Sequence, residues 1–142
     1  MRPLFFWLTG VKGMKILFVD DDADTSWTFS ELAKLMGHEA VSATTGAQAL
    51  DEARRHSPDL IFLDVLLGKD DGREVCALLR CEPTLSRCAI FAVTGLPHAH
   101  AICDPKLFDG VLLKPVTIQL LEEAINHRSV LQPVQTREPE VR

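Results

Sequence analysis

Four places in this sequence carry side chains suited to handling a phosphoryl group. The acidic run Asp20-Asp21-Asp22 follows the apolar stretch Lys15–Val19, and Asp64 closes the apolar run Leu60–Leu63. Thr94 closes the stretch Cys88–Val93, and Lys114 closes Val111–Leu113. Carboxylates brought together repel, and a divalent cation is the usual remedy. A hard, octahedral ion such as Mg²⁺ accepts a few carboxylates while keeping waters and phosphate oxygens. Lys114 adds a point charge suited to a phosphoryl oxygen, and Thr94 adds a hydroxyl donor. In that company Asp64 is a candidate nucleophile on phosphorus. It would give an acyl phosphate while the cation and Lys114 stabilise the equatorial charge.

These residues meet only if the elements carrying them are parallel strands. The run ending on Asp64 has no polar alternation, which suits a strand buried on both faces of a helix-covered sheet. Lys15–Val19, Cys88–Val93 and Val111–Leu113 read the same way, whereas Glu39–Ala43 is weaker and belongs at or near an edge. Between them lie helical stretches. The first is capped by Asp24 or Thr25, buries Phe29, Leu32, Ala33 and Met36, and stops at Gly37. Trp27 falls on its other side with Glu31 and Lys34, either as an interface anchor or lying flat over the helix. Further helices are expected over Ala47–Arg55 and Arg73–Arg80, and a short, poor one between Pro97 and Pro105. A last helix is capped by Thr117, runs to about His127, and has Ile118, Leu121 and Ile125 as its apolar face. Strand then helix, repeated to give five strands, predicts one α/β domain whose parallel sheet has helices on both faces. All the candidate residues then converge on the carboxyl edge, where such sheets place ligands.

Composition narrows the choice. The 142 residues suffice for one core, and a net charge of -5 does not indicate a nucleic-acid partner. The four cysteines form no CxxC pair and read as reduced thiols in apolar settings, which suits a cytoplasmic protein. Leu4–Leu8 is apolar but far too short to insert across a membrane, and it lacks the full pattern of a signal peptide. Residues 1–13 read as an extension, dispensable or a docking segment. Residues 14–128 read as the domain, and 129–142 as an unstructured tail.

The stretch from about Met14 to His127 resembles the response-regulator receiver domains of two-component signalling. The matching motifs are FVDD (Asp20, Asp21), LDV (Asp64), the DG pair Asp71-Gly72, VTG (Thr94) and LKP (Lys114-Pro115). The resemblance implies a flavodoxin-like fold with strand order 2-1-3-4-5 and five helices. It implies phosphorylation of Asp64 by a sensor histidine kinase or phosphotransfer protein, as a self-dephosphorylating switch rather than a turnover enzyme. Mg²⁺ would be held by Asp21, Asp64 and the backbone carbonyl of Leu66, with Asp20 acting through a metal-bound water. Thr94 and Lys114 would bind the phosphoryl group, and the Lys114–Pro115 bond would be cis. The face carrying Trp27 would meet a kinase, and the fourth and fifth helices a downstream protein target or a second copy in a homodimer. With no further domain after the last helix, the expected output is binding.

This chain departs from the family pattern in places. Leu67-Gly68 stands where a Met-Pro pair is usual, and Gly68 makes that loop more permissive. Val111 stands where many relatives have an aromatic residue. Leu66 and Leu96, at the positions lining the path of attacking water, cannot orient one, so slow self-dephosphorylation is expected. Two other readings compete. One is a haloacid-dehalogenase-type phosphohydrolase using Asp20 and Asp22, which leaves Asp64 without a role. The other is a phosphorylation-independent, receiver-like binding module. A calcium loop over Asp20–Glu31 lacks its glycine at position six, and His98, His100 and Cys103 lack a fourth zinc ligand.

Overall fold

The computed structural model describes residues 13–130. Five strands, β1 (Lys15–Val19), β2 (Glu39–Ala43), β3 (Leu60–Asp64), β4 (Ala89–Thr94) and β5 (Gly110–Leu113), form one sheet in the order β2-β1-β3-β4-β5. Every pairing in it is parallel. Helices α1 (Ala23–Leu35), α2 (Gly46–His56), α3 (Gly72–Arg80), α4 (Ala99–Ile102) and α5 (Ile118–Val130) make the crossovers, with a 3₁₀ turn at Pro83–Leu85. The flavodoxin-like doubly wound arrangement expected from the sequence is therefore present, and α4 is a single turn.

The unalternated strands are unalternated because both faces are covered. In β3 every residue is buried. Leu17, Val19, Ile61, Leu63 and Ile90 point into the core under α2 and α3, and Ile16, Phe18, Leu60, Phe62 and Phe91 into the core on the opposite face. On that second face Phe18 stacks on Phe62 at 5.2 Å, and Phe62 meets Phe91 edge-on at 5.8 Å. β2 lies at the edge, and its mixed burial explains its weaker pattern.

Several local expectations need correction. Asp22, not Asp24 or Thr25, caps α1. Its extended backbone precedes the helix and its carboxylate accepts the Asp24 amide at 3.1 Å. The buried stripe of α1 includes Ser26 and Ser30, which satisfy their hydroxyls on the carbonyls of Ala23 and Trp27. In α5 the apolar stripe starts a turn later than expected, at Leu121 with Ala124 and Ile125, because Ile118 lies in the exposed turn leaving Lys114-Pro115. Cys81 is exposed, unlike Cys76, Cys88 and Cys103.

Candidate functional site

Three strand ends bring the site together. β1 delivers Asp20 and Asp21, β3 ends on Asp64, and Lys114 follows β5. Asp20, Asp64 and Thr94 are buried while Asp21 is exposed. The Lys114 ammonium donates to Asp64 Oδ2 at 3.0 Å and reaches Asp20 Oδ2 at 3.5 Å. Carboxylate oxygens of Asp20, Asp21 and Asp64 lie within 4.8 Å of one another. Burial pushes the Asp64 carboxyl above its ordinary pKa, against the pull of the Lys114 hydrogen bond and charge, and the neighbouring Asp20 charge adds to the rise. Burial works against the Lys114 ammonium, but the hydrogen bond to Asp64 and the charges of both carboxylates outweigh it and hold its pKa above the usual value.

Backbone amides set the remaining geometry. Asp64 Oδ1 accepts the Leu66 amide at 3.2 Å, and Asp20 Oδ1 accepts the Asp22 amide at 2.9 Å. Thr94 Oγ1 accepts the Leu96 amide at 3.0 Å, so the hydroxyl proton remains to donate elsewhere. Lys114 donates its own amide to the Thr94 carbonyl at 2.9 Å, which ties β4's end to the lysine. The Lys114–Pro115 bond is cis.

The loop after Asp64 is ordered rather than loose. Leu66–Leu67 pairs antiparallel with Asp70–Asp71 as a two-residue ribbon, turned at Gly68 with φ of 59°. The positive φ of Gly68 is what favours glycine there, since a Cβ would stand at an ordinary contact distance of 3.7 Å from Asp21 Oδ2. Asp70, which the sequence reading did not single out, accepts the first amide of α2 from Gly46 at 2.8 Å and ties the loop to that helix. Its only sequence signal was its place beside the Asp71-Gly72 pair. Leu66 is 60% exposed, Leu96 is half-buried, and Trp27 is 61% exposed on α1.

The competing constellations do not assemble. Asp22 is spent on the α1 cap, accepting from the Asp24 amide and the Thr25 hydroxyl, so it is no second acid for a phosphohydrolase. Among the described residues, the group placed to hold a metal is the aspartate trio rather than His98 and Cys103. No helix among the described residues is long and apolar enough to cross a membrane.

The family model for the response regulator receiver domain matches residues 16–126. The chain belongs to that family. It is 35% identical over 123 residues to the "Probable transcriptional regulator ycf27" of Porphyra purpurea, an alignment covering 83% of this chain and 47% of that protein. It is 34% identical over 80 residues to the polar-differentiation response regulator DivK of Brucella ovis, covering 56% of this chain and 65% of DivK. The receiver domain thus spans about half the length of the ycf27-type relatives it matches. A CheY-like receiver domain from Methylobacillus flagellatus superimposes with a TM-score of 0.74 at 28% identity, covering 81% of this chain and 98% of that one. A response regulator from Burkholderia pseudomallei, solved with a phosphorylated aspartic acid and a calcium ion, gives a TM-score of 0.70 at 25% identity, covering 78% of this chain and 65% of that one. Receiver domains act in phosphorelays, exchanging signals with histidine kinases or phosphotransfer proteins and with downstream targets, and are not generally turnover enzymes.

Proposed function

We propose that Asp64 is the phosphoryl acceptor of a receiver spanning residues 14–128. The observation that carries this is the Lys114 ammonium bonded to a buried Asp64 whose carboxylate clusters with those of Asp20 and Asp21. An Asp64 oxygen attacks the phosphorus of a phosphohistidine, the P–N bond breaks, and the imidazole leaves with a proton while an acyl phosphate forms. Lys114 balances the charge that gathers on the phosphoryl oxygens, and the Thr94 hydroxyl donates to one of them. The phosphorylated aspartate of the Burkholderia pseudomallei relative supports this chemistry.

The all-oxygen, anionic donor set suits a hard divalent cation. Asp21, Asp64 and the Leu66 carbonyl would hold Mg²⁺, with Asp20 behind a coordinated water. When bound, the ion supplies charge neutralisation between the carboxylates and the incoming phosphoryl group. The donor is a sensor histidine kinase or phosphotransfer protein meeting the α1 face at Trp27. The output is a binding surface, toward a protein target or a second copy, in the cytoplasm.

The test is intact mass after incubation with acetyl phosphate and Mg²⁺, on wild type and Asp64→Asn. A Mg²⁺-dependent phosphoryl adduct that is absent from the variant is expected. Wild type that takes up no phosphate would overturn the proposal and leave a phosphorylation-independent binding module. An adduct on Asp20 instead would favour the phosphohydrolase.

A further inference from the structure

The loop that follows Asp64 reaches two of the three clustered carboxylates. The Leu66 amide donates to Asp64 Oδ1 at 3.2 Å, and Gly68 lies beside Asp21. The same loop carries the Leu66 carbonyl, the backbone ligand proposed above for the cation. Its ribbon is short, pairing Leu66 with Asp71 and Leu67 with Asp70. Strands of that length do not hold a shape by themselves, and Gly68 at the turn adds backbone freedom. The ribbon therefore depends on what anchors it from outside.

Leu67 is buried in the core under α2 and α3, and the Gly72 amide closes the base of the loop on the Val65 carbonyl at 2.7 Å. The returning strand is held by Asp70, whose Oδ2 accepts the Gly46 amide at 2.8 Å. Gly46 opens α2, and the first turn of that helix contains no acidic residue. Asp70 thus brings an anion to the helix end where free amides and the dipole favour one. The approach is close. A Cβ at position 46 would stand 3.1 Å from Asp70 Oδ2 and 2.8 Å from Val75 Cγ2 on α3, so a glycine is what lets the three elements meet. α2 is also capped from within its own crossover, by Thr45 Oγ1 accepting the Gln48 amide at 3.1 Å. What Asp70 adds to that cap is a link to the ribbon.

We propose that Asp70 is a positioning residue for the cation site, latching the ribbon to α2 so that it stays set against Asp21 and Asp64. This role rests on the cation reading given above for Asp21, Asp64 and the Leu66 carbonyl. The working part of Asp70 is the oxygen that accepts from Gly46, not its charge. With that bond removed, the ribbon has to be ordered when the ion binds, and the ordering cost is subtracted from the affinity.

Titration calorimetry of Mg²⁺ into the full chain tests it, on wild type, Asp70→Ala, Asp70→Asn and Thr45→Ala, with far-UV circular dichroism confirming each fold. Asp70→Ala is expected to weaken Mg²⁺ binding about tenfold, a loss typical of removing a partner that orients a metal ligand. Asp70→Asn, whose amide oxygen can still accept from Gly46, should recover most of that affinity. Thr45→Ala removes a capping bond of α2 and leaves the Asp70–Gly46 bond in place. It should melt lower with its Mg²⁺ affinity unchanged. Wild-type affinity in Asp70→Ala would overturn the role. So would an Asn variant as weak as the Ala variant, because charge rather than the bond would then be responsible. An equal loss in Thr45→Ala would overturn it by reducing Asp70 to a second cap for α2. Wild type without measurable Mg²⁺ affinity would overturn the cation reading itself, and this role with it.

Discussion

Lys114 stands between two carboxylates, at 3.0 Å from Asp64 and 3.5 Å from Asp20, and this small cluster bears on the proposed phosphoryl chemistry and on stability. Asp64 has a raised carboxyl pKa, so the folded state holds its proton more tightly than the unfolded state does. The stability it contributes is complete below the ordinary value of 3.8 and is lost as pH rises through the raised folded value. At neutral pH its ionisation therefore costs the fold. Asp64→Asn keeps an acceptor for Lys114 without the charge, and should melt higher at pH 7 by about 2–4 °C, the shift that roughly 1 kcal/mol gives in a chain of this size. That gain should vanish toward pH 3.5, below the ordinary carboxyl value; a variant less stable than wild type at pH 7 would contradict the sign. The slow self-dephosphorylation expected of Leu66 and Leu96 concerns a different quantity, the lifetime of the proposed phosphoryl group. Neither side chain can hold a water for attack, and Leu66 is exposed. Leu66→Asn should shorten the half-life of the phospho-form roughly tenfold, equivalent to about 1.4 kcal/mol of barrier. Mass spectra taken through the decay would show it, and an unchanged half-life would remove these leucines from the mechanism.

At the scale of elements, the stretch from Asp64 to α3 is the most constrained. Gly72 opens α3 with its amide on the Val65 carbonyl at 2.7 Å, and a Cβ there would run into the Asp64 carbonyl and come within 2.8 Å of Val65 Cα. Those are backbone atoms that cannot swing aside, so Gly72→Ala should cost about 1–3 kcal/mol, as overpacking does. Thermal or urea unfolding measures it, and the variant should also take up phosphate more slowly because the Asp64 backbone has to move. The strands and the helix stretches were legible in the sequence because parallel strands covered on both faces leave an unmistakable apolar run, whereas the strand order came only with the resemblance to receiver domains. The ribbon at Leu66–Leu67 and Asp70–Asp71 was not, because two-residue strands carry no periodicity and the Asp70–Gly46 contact joins residues from different crossovers. The starts of α1 and the stripe of α5 shifted for a related reason. In Asp20–Asp24 several carboxylates compete for one cap, and only the backbone path selects Asp22.

For the whole molecule, a cation that binds only the folded cluster must stabilise the fold by mass action. With Mg²⁺ at tenfold above its dissociation constant the gain is about 1.4 kcal/mol, which raises the melting temperature by about 2–4 °C. Asp21→Asn, which removes the exposed carboxylate of the proposed metal site and leaves the buried ones in place, should abolish most of that shift. A melting temperature equally Mg²⁺-sensitive in the variant would place the ion elsewhere.

The amino-acid sequence by itself determined a parallel α/β sheet and the place of the candidate residues at strand ends, because burial pattern and residue type are local properties of the chain, and its motifs carried the resemblance to receiver domains. Only the tertiary structure decided how those residues meet. Lys114 lies 50 residues from Asp64 and 94 from Asp20 in the chain, yet touches both. The raised pKa of Asp64, the ordered Gly68 turn beside Asp21 and the bond from Gly46 to Asp70 all depend on distances between elements. The linear order of residues does not contain those distances until the sheet has formed.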